Sequence, residues 1–154
     1  METGSDREGR NGFTRGVFTR ELRFKMKDGF PATTTKKLAF RSVAAELFWF
    51  MSGSNDNKIL QRLGCEIWTA NAEASYWKPK AKFEGDLGRV YGVQWRSWRR
   101  PDDSTVDQLA SVIEKIKKDP NDRRLIVSAW NPGEIDEMAL PPCHNSPIKA
   151  KMAV

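Results

Sequence analysis

Apolar and polar positions follow two different periods in the first third of the chain. Across residues 18–26 they alternate, with Phe18, Leu22, Phe24 and Met26 on one side, which predicts a half-buried strand. Across residues 38–51 the apolar positions follow helical spacing, which predicts a helix that is more buried than exposed. The face expected to be buried consists of Ala39, Phe40, Val43, Ala44, Leu47, Phe48 and Met51.

The middle of the chain has weaker patterns. A shorter helix is expected through Ile59 and Leu63 to Gly64. Residues 65–88 contain Pro79, Gly85 and many charges, so we interpret them as a long loop or insertion, a kind of segment that is often functional. Residues 90–95 favour a short extended segment.

Regular structure is predicted again after residue 105. Val106, Leu109, Ile113 and Ile116 form one face of an amphipathic helix that ends at Asp119-Pro120. The run over residues 125–130 is uninterrupted and apolar at its start, and it predicts a central strand covered on both faces.

Length and composition indicate one globular domain over residues 1–154, long enough to bury a core without metal or disulfide. No run approaches the ~18 apolar residues that span a bilayer, and the N-terminus lacks the apolar core of a signal peptide. We therefore expect a cytoplasmic protein without membrane association. Cys65 and Cys143 have no neighbouring ligands at zinc spacing, so no metal is expected.

The formal charge of +6 favours anionic partners, namely phosphates, polyglutamate or nucleic acid, without choosing among them. The chain also has six Trp, several of them interleaved with arginines over residues 68–100. That pattern fits a platform for single-stranded nucleic acid such as RNA. It fits equally a large rigid core with a basic rim, which is the more common case.

Residues 121–144 combine several groups that can do chemistry. Cys143 follows two prolines, which fix the backbone and exclude regular structure, so its side chain is presented on a rigid turn. Such a turn suits a nucleophile, but an inert small side chain would fit it as well. His144, the only His, is adjacent. Arg123 and Arg124 suit a phosphate, or a surface ion pair with Asp122.

Glu46 interrupts the apolar helix between Ala45 and Leu47. A buried unpaired carboxylate is costly, so the position suggests a functional acid. The alternative places Glu46 on a narrow polar side of the helix with Arg41 and Ser42, and periodicity alone does not separate the two.

Blocks with a recognisable sequence follow one another along the chain. They are Asp6-Arg7, FPATTTKK (30–37), RSVAAELFWFMSGS (41–54), IWTANA (67–72), GDLGRVYGVQWRSW (85–98), DPNDRRLIVSAWNP (119–132), MALPPCH (138–144) and the closing PIKAKMAV (147–154). In this order they resemble the thymidylate synthase family, and together they span nearly the whole chain. The resemblance implies an α+β fold in which a mixed sheet is flanked by helices, incomplete in this chain. It also implies a homodimer.

The resemblance implies reductive methylation of dUMP to dTMP, with 5,10-methylenetetrahydrofolate as co-substrate. Cys143 would be the nucleophile, Glu46 would manage proton transfer at the base, and Tyr91 would remove a proton near C5. The other matched positions are expected to bind. For the substrate they are Arg7, Arg123, Arg124 and His144, with Arg123 and Arg124 reaching the partner subunit's site, and for the folate they are Ile67, Trp68, Lys36, Ala153 and Val154.

The chain departs from the family after His144. The Gln-Arg-Ser, Pro-Phe-Asn and His-x-Tyr segments expected there are absent, and Asn145 follows directly. Three explanations are a real deletion, an internal segment missing from the sequence, and a natural minimal enzyme. We expect the 154-residue chain alone to be poorly active or inactive.

Smaller departures keep other functions open. Thr69-Ala70 follows Trp68 where the family usually has an Asp, and residues 9–16 differ from the usual loop. These changes suggest a hydroxymethylase acting on dUMP or dCMP as an alternative. Further alternatives are a non-catalytic remnant that binds nucleotide or RNA, and a subunit that pairs with an intact relative.

Overall fold

The computed structural model describes residues 4–9, 12–32, 34–143 and 146–147, and the chain divides into two units, Met1–Leu38 and Ala39–Val154. The first unit contains an antiparallel hairpin of β1 (Ser5–Gly9) and β2 (Gly12–Gly16), followed by a 3-10 turn at Met26–Asp28. Asp6 and Arg15 face each other across the hairpin and form a two-pronged ion pair of 2.6 and 2.7 Å.

The prediction of a strand over residues 18–26 is wrong. Residues 17–25 have no regular structure, and the side chains of Phe18, Leu22 and Phe24 are exposed. Alternation creates an apolar face, but a strand also needs a neighbour to satisfy its backbone, and none of the described residues pairs with this segment.

Over its described residues, the second unit consists of short helices and two small antiparallel strand pairs, Trp98–Arg99 with Thr105–Val106 and Ile126–Val127 with Ser146–Pro147. The α+β class predicted from the sequence is thus confirmed. The elements are α1 (Phe40–Ser52), α2 (Asn57–Arg62), α3 (Thr69–Ala72), a 3-10 turn (Lys78–Lys80), α4 (Tyr91–Arg96), β3 (Trp98–Arg99), β4 (Thr105–Val106), α5 (Gln108–Lys118), β5 (Ile126–Val127), a second 3-10 segment (Pro132–Glu137) and β6 (Ser146–Pro147).

The helix predicted over residues 38–51 is confirmed as α1, but the predicted buried face is wrong. Ala45, Trp49 and Phe50 are buried instead. The ring of Phe50 stacks on Tyr91 at a centroid distance of 4.6 Å, which turns this side of α1 toward α4. On the predicted face, Phe40, Val43, Leu47, Phe48 and Met51 are exposed.

Residues 65–88 belong to the core rather than to an open loop or insertion. Trp68, Trp77 and Leu87 are buried there. Asp86 organises the end of the segment, because its buried carboxylate accepts hydrogen bonds from the Asn55 side chain and from the backbone N–H groups of Lys82 and Gly88 at 2.7–2.8 Å. Three good donors explain how a carboxylate is tolerated at 2% exposure.

Residues 91–95 belong to the helix α4 (Tyr91–Arg96), so the extended segment predicted over residues 90–95 is wrong. Gly92 allows α4 to lie close to α1, because a Cβ at this position would be 2.7 Å from the carbonyl oxygen of Phe50. Gln94 is fully buried and donates to Arg89 O and to Glu134, bonds that hold the helix in place. Neither contact is visible in local periodicity.

The later elements are predicted with mixed success. The short helix near Ile59 corresponds to α2. The amphipathic helix is α5, where the Asp107 side chain caps the first turn at 2.9 Å and Asp119 ends the helix as predicted. The prediction of a central strand over residues 125–130 is wrong. Only β5 is paired, and its outward residue Ile126 is half exposed, so one face is covered rather than two.

Candidate active site

A cavity of about 260 Å³ in the second unit brings together residues from four parts of the chain. Glu46 and Phe50 come from α1, Tyr91 from α4, and Cys143 from the segment after the second 3-10 segment. The remaining lining residues are Ile67, Trp68, Asn71 and Leu140. Five of the side chains proposed from the sequence thus meet here, namely Cys143, Glu46, Tyr91, Trp68 and Ile67.

Cys143 and Tyr91 are joined directly. The backbone N–H of Cys143 donates a hydrogen bond of 2.7 Å to the Tyr91 hydroxyl oxygen. Burial raises the pKa of Tyr91, and the N–H from Cys143 opposes that rise without cancelling it. The Tyr91 side chain is buried whereas Cys143 is exposed, so the thiol is accessible to a ligand while its backbone is held.

The segment that carries Cys143 is fixed by backbone pairing with the residues before α4. Gly88 and Met138 form an antiparallel bridge, and Ala139 N–H donates to Leu87 O at 3.0 Å. Gly88 has φ +73°, and a Cβ there would lie 2.1 Å from the carbonyl oxygen of Glu137. Only glycine fits this close approach, so the Leu-Gly pair of the sequence determines where the cysteine segment runs.

Glu46 faces the cavity rather than the polar side of α1. Its Oε1 accepts a hydrogen bond of 2.7 Å from the indole N–H of Trp68, which is only 4% exposed. A charge-assisted bond of this length fixes the position of the carboxylate. Trp68 in turn packs on Trp49 and Tyr91 at centroid distances of 6.0 Å. The acid is therefore held by a rigid aromatic wall.

The sequence did not single out Asn71 as a site residue, although it lies in the same IWTANA block as Ile67 and Trp68. Its side chain adds an amide to the cavity lining. The signal that could have identified Asn71 was a polar residue inside a block that resembles the family.

A largely buried ion pair outside the cavity lining was also not predicted from the sequence. Arg89 donates to Glu134 at 2.6 Å and to the Ser97 carbonyl at 2.8 Å, while Gln94 donates to the same Glu134 oxygen at 2.6 Å. Burial alone would raise the pKa of Glu134, but the hydrogen bonds from Arg89 and Gln94 outweigh it and hold that pKa below the usual range. Arg99 lies 3.3 Å from the second carboxylate oxygen.

The arginines proposed to bind phosphate do not line this cavity. Arg123 and Arg124 are exposed after α5, and within the described ranges neither forms an ion pair. Asp122 instead accepts a hydrogen bond from the backbone N–H of Arg124 at 2.7 Å. Both guanidinium groups are thus available to a ligand or a second chain.

The remaining site predictions lie elsewhere. Arg7 is exposed on β1, where its carbonyl accepts from the Thr14 hydroxyl at 3.4 Å, and Lys36 is exposed near the end of the same unit. His144, Ala153 and Val154 lie outside the described residues. The substrate and folate roles assigned to all five stay predictions.

No group of three or more His, Cys, Asp or Glu among the described residues is arranged to hold a metal ion. Among the described helices, none has both the length and the apolar character required to cross a bilayer.

The sequence was also compared with models of protein families. The model of the family described as thymidylate synthase matches residues 1–150. That range includes every cavity residue, the whole first unit and the second unit up to residue 150.

Proposed function

Since the chain belongs to the thymidylate synthase family, we propose that it serves the reductive methylation of dUMP to dTMP, with 5,10-methylenetetrahydrofolate as co-substrate. The observation that carries this proposal is the cavity in which Cys143, Glu46, Tyr91 and Trp68 meet. An exposed thiol beside a fixed carboxylate and a buried phenol is an arrangement suited to covalent catalysis with proton transfer.

Cys143 acts as the nucleophile. Its thiolate adds to C6 of the uracil ring, so that a bond forms between Sγ and C6 and the electron pair moves toward C5 and the neighbouring carbonyl. This makes C5 able to form a bond to carbon. After the one-carbon unit has bonded to C5, the C5 proton would be lost and the bond between that carbon and the folate nitrogen would break. Hydride from the folate would then reduce the carbon to a methyl group, and breakage of the Sγ–C6 bond would restore the thiolate and leave dihydrofolate as the second product. The thiolate needs nearby positive charge, because a free thiol is mostly protonated at neutral pH.

Glu46 and Tyr91 handle the protons. Glu46 is held at 2.7 Å by the Trp68 indole and serves proton transfer at the pyrimidine ring through water. Tyr91 lies beside the Cys143 backbone, 2.7 Å from its nitrogen, and serves removal of the proton from C5. Both groups are fixed before substrate arrives, which lowers the cost of organising them during the reaction.

The mouth of the cavity suits a flat aromatic co-substrate. Ile67 is half exposed and stands beside Trp68, so the two provide an apolar wall for a ring system. When bound, the reduced folate supplies the one-carbon unit and the hydride. The role of Trp68 is to pack against it and keep water away from the transferred carbon. A volume of about 260 Å³ is below that of sites that enclose a whole drug-sized ligand, so parts of both substrates lie outside the cavity.

Charged positions outside the cavity complete the substrate sites. We assign the nucleotide phosphate to Arg7 and, from a second copy of the chain, to Arg123 and Arg124, with His144 at the substrate side. Lys36, Ala153 and Val154 are assigned to the folate. Exposure of Arg123 and Arg124 without an ion pair in the described ranges supports a role in binding an anion across a homodimer.

Covalent capture tests the proposal. 5-Fluoro-dUMP carries fluorine where the proton must leave, so the reaction stops with the nucleotide and the folate bound to the enzyme. Intact-mass measurement should show a Cys143 adduct that requires both ligands. Cys143→Ser should form none, whereas Cys65→Ser should still form it, because Cys65 is 1% exposed and outside the cavity. One capture needs no turnover, so the assay suits a chain that is expected to turn over poorly.

Other outcomes would favour the alternatives. Nucleotide binding that falls steeply with salt, without any adduct, would indicate a non-catalytic nucleotide- or RNA-binding protein. Formation of a hydroxymethylated product from dUMP or dCMP would indicate the hydroxymethylase. Absence of the Cys143 adduct in the wild-type chain, with or without nucleotide binding, would refute the proposal.

A further inference from the structure

We propose that the buried Arg89–Glu134 ion pair, together with Gln94, positions Tyr91 against Cys143. This inference rests on the proposed function, since it assigns Arg89, Glu134 and Gln94 as positioning residues for the same reaction. None of the three lines the cavity that contains Cys143, so they act through the elements they join.

Arg89 connects both ends of the helix that carries Tyr91. It lies immediately before the N-cap residue of α4, and its guanidinium donates at 2.8 Å to the carbonyl of Ser97, the C-cap residue. Its own N–H donates to Glu137 O at 2.8 Å. Because α4 is only six residues long and its N-cap makes no side-chain bond, these contacts from outside the helix fix its position.

Glu134 belongs to the segment that leads to Cys143. It lies on the 3-10 segment Pro132–Glu137, and the chain continues from there to the cysteine turn. The Glu134 carboxylate receives Arg89 and Gln94 on one oxygen at 2.6 Å each. Gln94 is a residue of α4, so a single buried acid is bonded to the Tyr91 helix and to the residue that precedes it.

Burial makes this connection rigid. Glu134 is 6% exposed and Gln94 is not exposed at all. A carboxylate in such a setting is stable only while its partners stay in place, so the elements that carry those partners cannot drift apart independently. The backbone bridge between Gly88 and Met138 sets the same two segments side by side, and the ion pair fixes the orientation of α4 upon that bridge.

The Cys143 amide reports the geometry directly, because its proton is the one donated to Tyr91. The full chain labelled with ¹⁵N-cysteine has two cysteine amides, Cys143 and Cys65. The Cys65 amide donates to Leu60 O and serves as the internal reference. Tyr91→Phe removes the acceptor, so it assigns the Cys143 signal and defines the exchange rate of an unbonded amide.

The test variant is Arg89→Met with Glu134→Met, an apolar replacement of the pair that keeps side-chain volume and leaves no buried charge unpaired. Exchange of the Cys143 amide with water should accelerate about tenfold, toward the Tyr91→Phe rate, while Cys65 stays unchanged. Glu134→Gln keeps the shape of the side chain and should also accelerate exchange of the Cys143 amide. This variant provides the exchange rate if the double variant does not fold.

Arg96→Met is the matched control. It removes an arginine of the same helix whose contacts are Asp107 and Met51 O, away from the cysteine segment. Cys143 exchange should stay at the wild-type rate. The proposal is overturned if exchange in the folded Arg89 and Glu134 variants remains within about twofold of wild type, or if Arg96→Met accelerates it equally.

Capture of 5-fluoro-dUMP separates this inference from the proposed function. Slower adduct formation with unchanged nucleotide affinity is expected when the pair is replaced. If the wild-type chain forms no adduct, the proposed function fails, but the exchange rates still decide whether the pair holds Tyr91 at Cys143. If the adduct forms and the exchange rates do not change, only the positioning role fails.

Discussion

The hydrogen bond between Trp68 and Glu46 leads to a quantitative prediction. Trp68→Phe removes the indole N–H that donates to Glu46 at 2.7 Å and leaves an aromatic ring in the same place. A hydrogen bond to a charged group contributes about 1.5–3 kcal/mol. Glu46 is partly exposed, so the lower end applies, and the lost ring atoms of a side chain that is 4% exposed add about 1 kcal/mol. The free energy of unfolding should fall by about 2–3 kcal/mol.

A double-mutant cycle isolates the bond from the packing loss. Glu46→Met removes the oxygen that accepts from the indole and keeps a side chain of similar length, so neither single variant retains the bond. Combining it with Trp68→Phe should give a coupling energy of about 1 kcal/mol, measured by urea unfolding followed by far-UV circular dichroism. Trp68→Phe should also slow formation of the Cys143 adduct, because Glu46 is no longer held at the cavity.

Additive effects of the two substitutions on the free energy of unfolding would contradict this prediction. If the two substitutions add within about 0.3 kcal/mol, the indole and the carboxylate do not interact in solution. If Trp68→Phe destabilises the chain but leaves adduct formation at the wild-type rate, then the position of Glu46 does not depend on Trp68.

Four further predictions follow from single contacts. Gly92→Ala should lower the free energy of unfolding by about 1–3 kcal/mol in urea, because its Cβ would meet the Phe50 carbonyl at 2.7 Å. Asp86→Ala should lower it by about 3 kcal/mol or more by leaving three donors unpaired, and a loss below about 1 kcal/mol would contradict this. Because the pKa of Tyr91 is raised in the folded chain, its hydroxyl loses the proton at a lower pH in the unfolded chain than in the folded one. The free energy of unfolding should therefore fall as the pH rises above about 10, and it should fall less in Tyr91→Phe. The lowered pKa of Glu134 has the opposite effect on the pH dependence of stability. It stabilises the folded chain at pH values above 4.5, the ordinary pKa of the group, and this stabilisation should be lost as the pH falls below that value. Glu134→Gln should lack this contribution.

The success of sequence reasoning about the fold depended on what stabilises each element. The helix α5 was predicted well because its cap Asp107 and its apolar stripe are local features. Residues 90–95 were predicted wrongly because the contacts that make α4 helical, Gly92 against α1 and Gln94 against Glu134, come from distant parts of the chain. Alternation over residues 18–26 was likewise insufficient without a partner strand among the described residues.

The candidate site shows the same division. The resemblance to the family identified Cys143, Glu46, Tyr91 and Trp68 as candidate site residues. Their meeting in one cavity depends on long-range contacts, such as the backbone bridge between Gly88 and Met138. Periodicity left two orientations open for Glu46, because a helix pattern does not say which neighbour will pack on it. The supporting pair of Arg89 and Glu134 gave no signal in sequence, since charged residues in loops are ordinarily exposed.

The bond between Cys143 and Tyr91 uses a main-chain donor, and this determines how cleanly the nucleophile can be studied. Any residue except proline at position 143 retains that donor. Cys143→Ser therefore keeps the tyrosine engaged while removing the sulfur. Equilibrium affinity measured on that variant gives the reversible part of nucleotide recognition by itself, and comparison with the native chain assigns the remainder to the covalent bond.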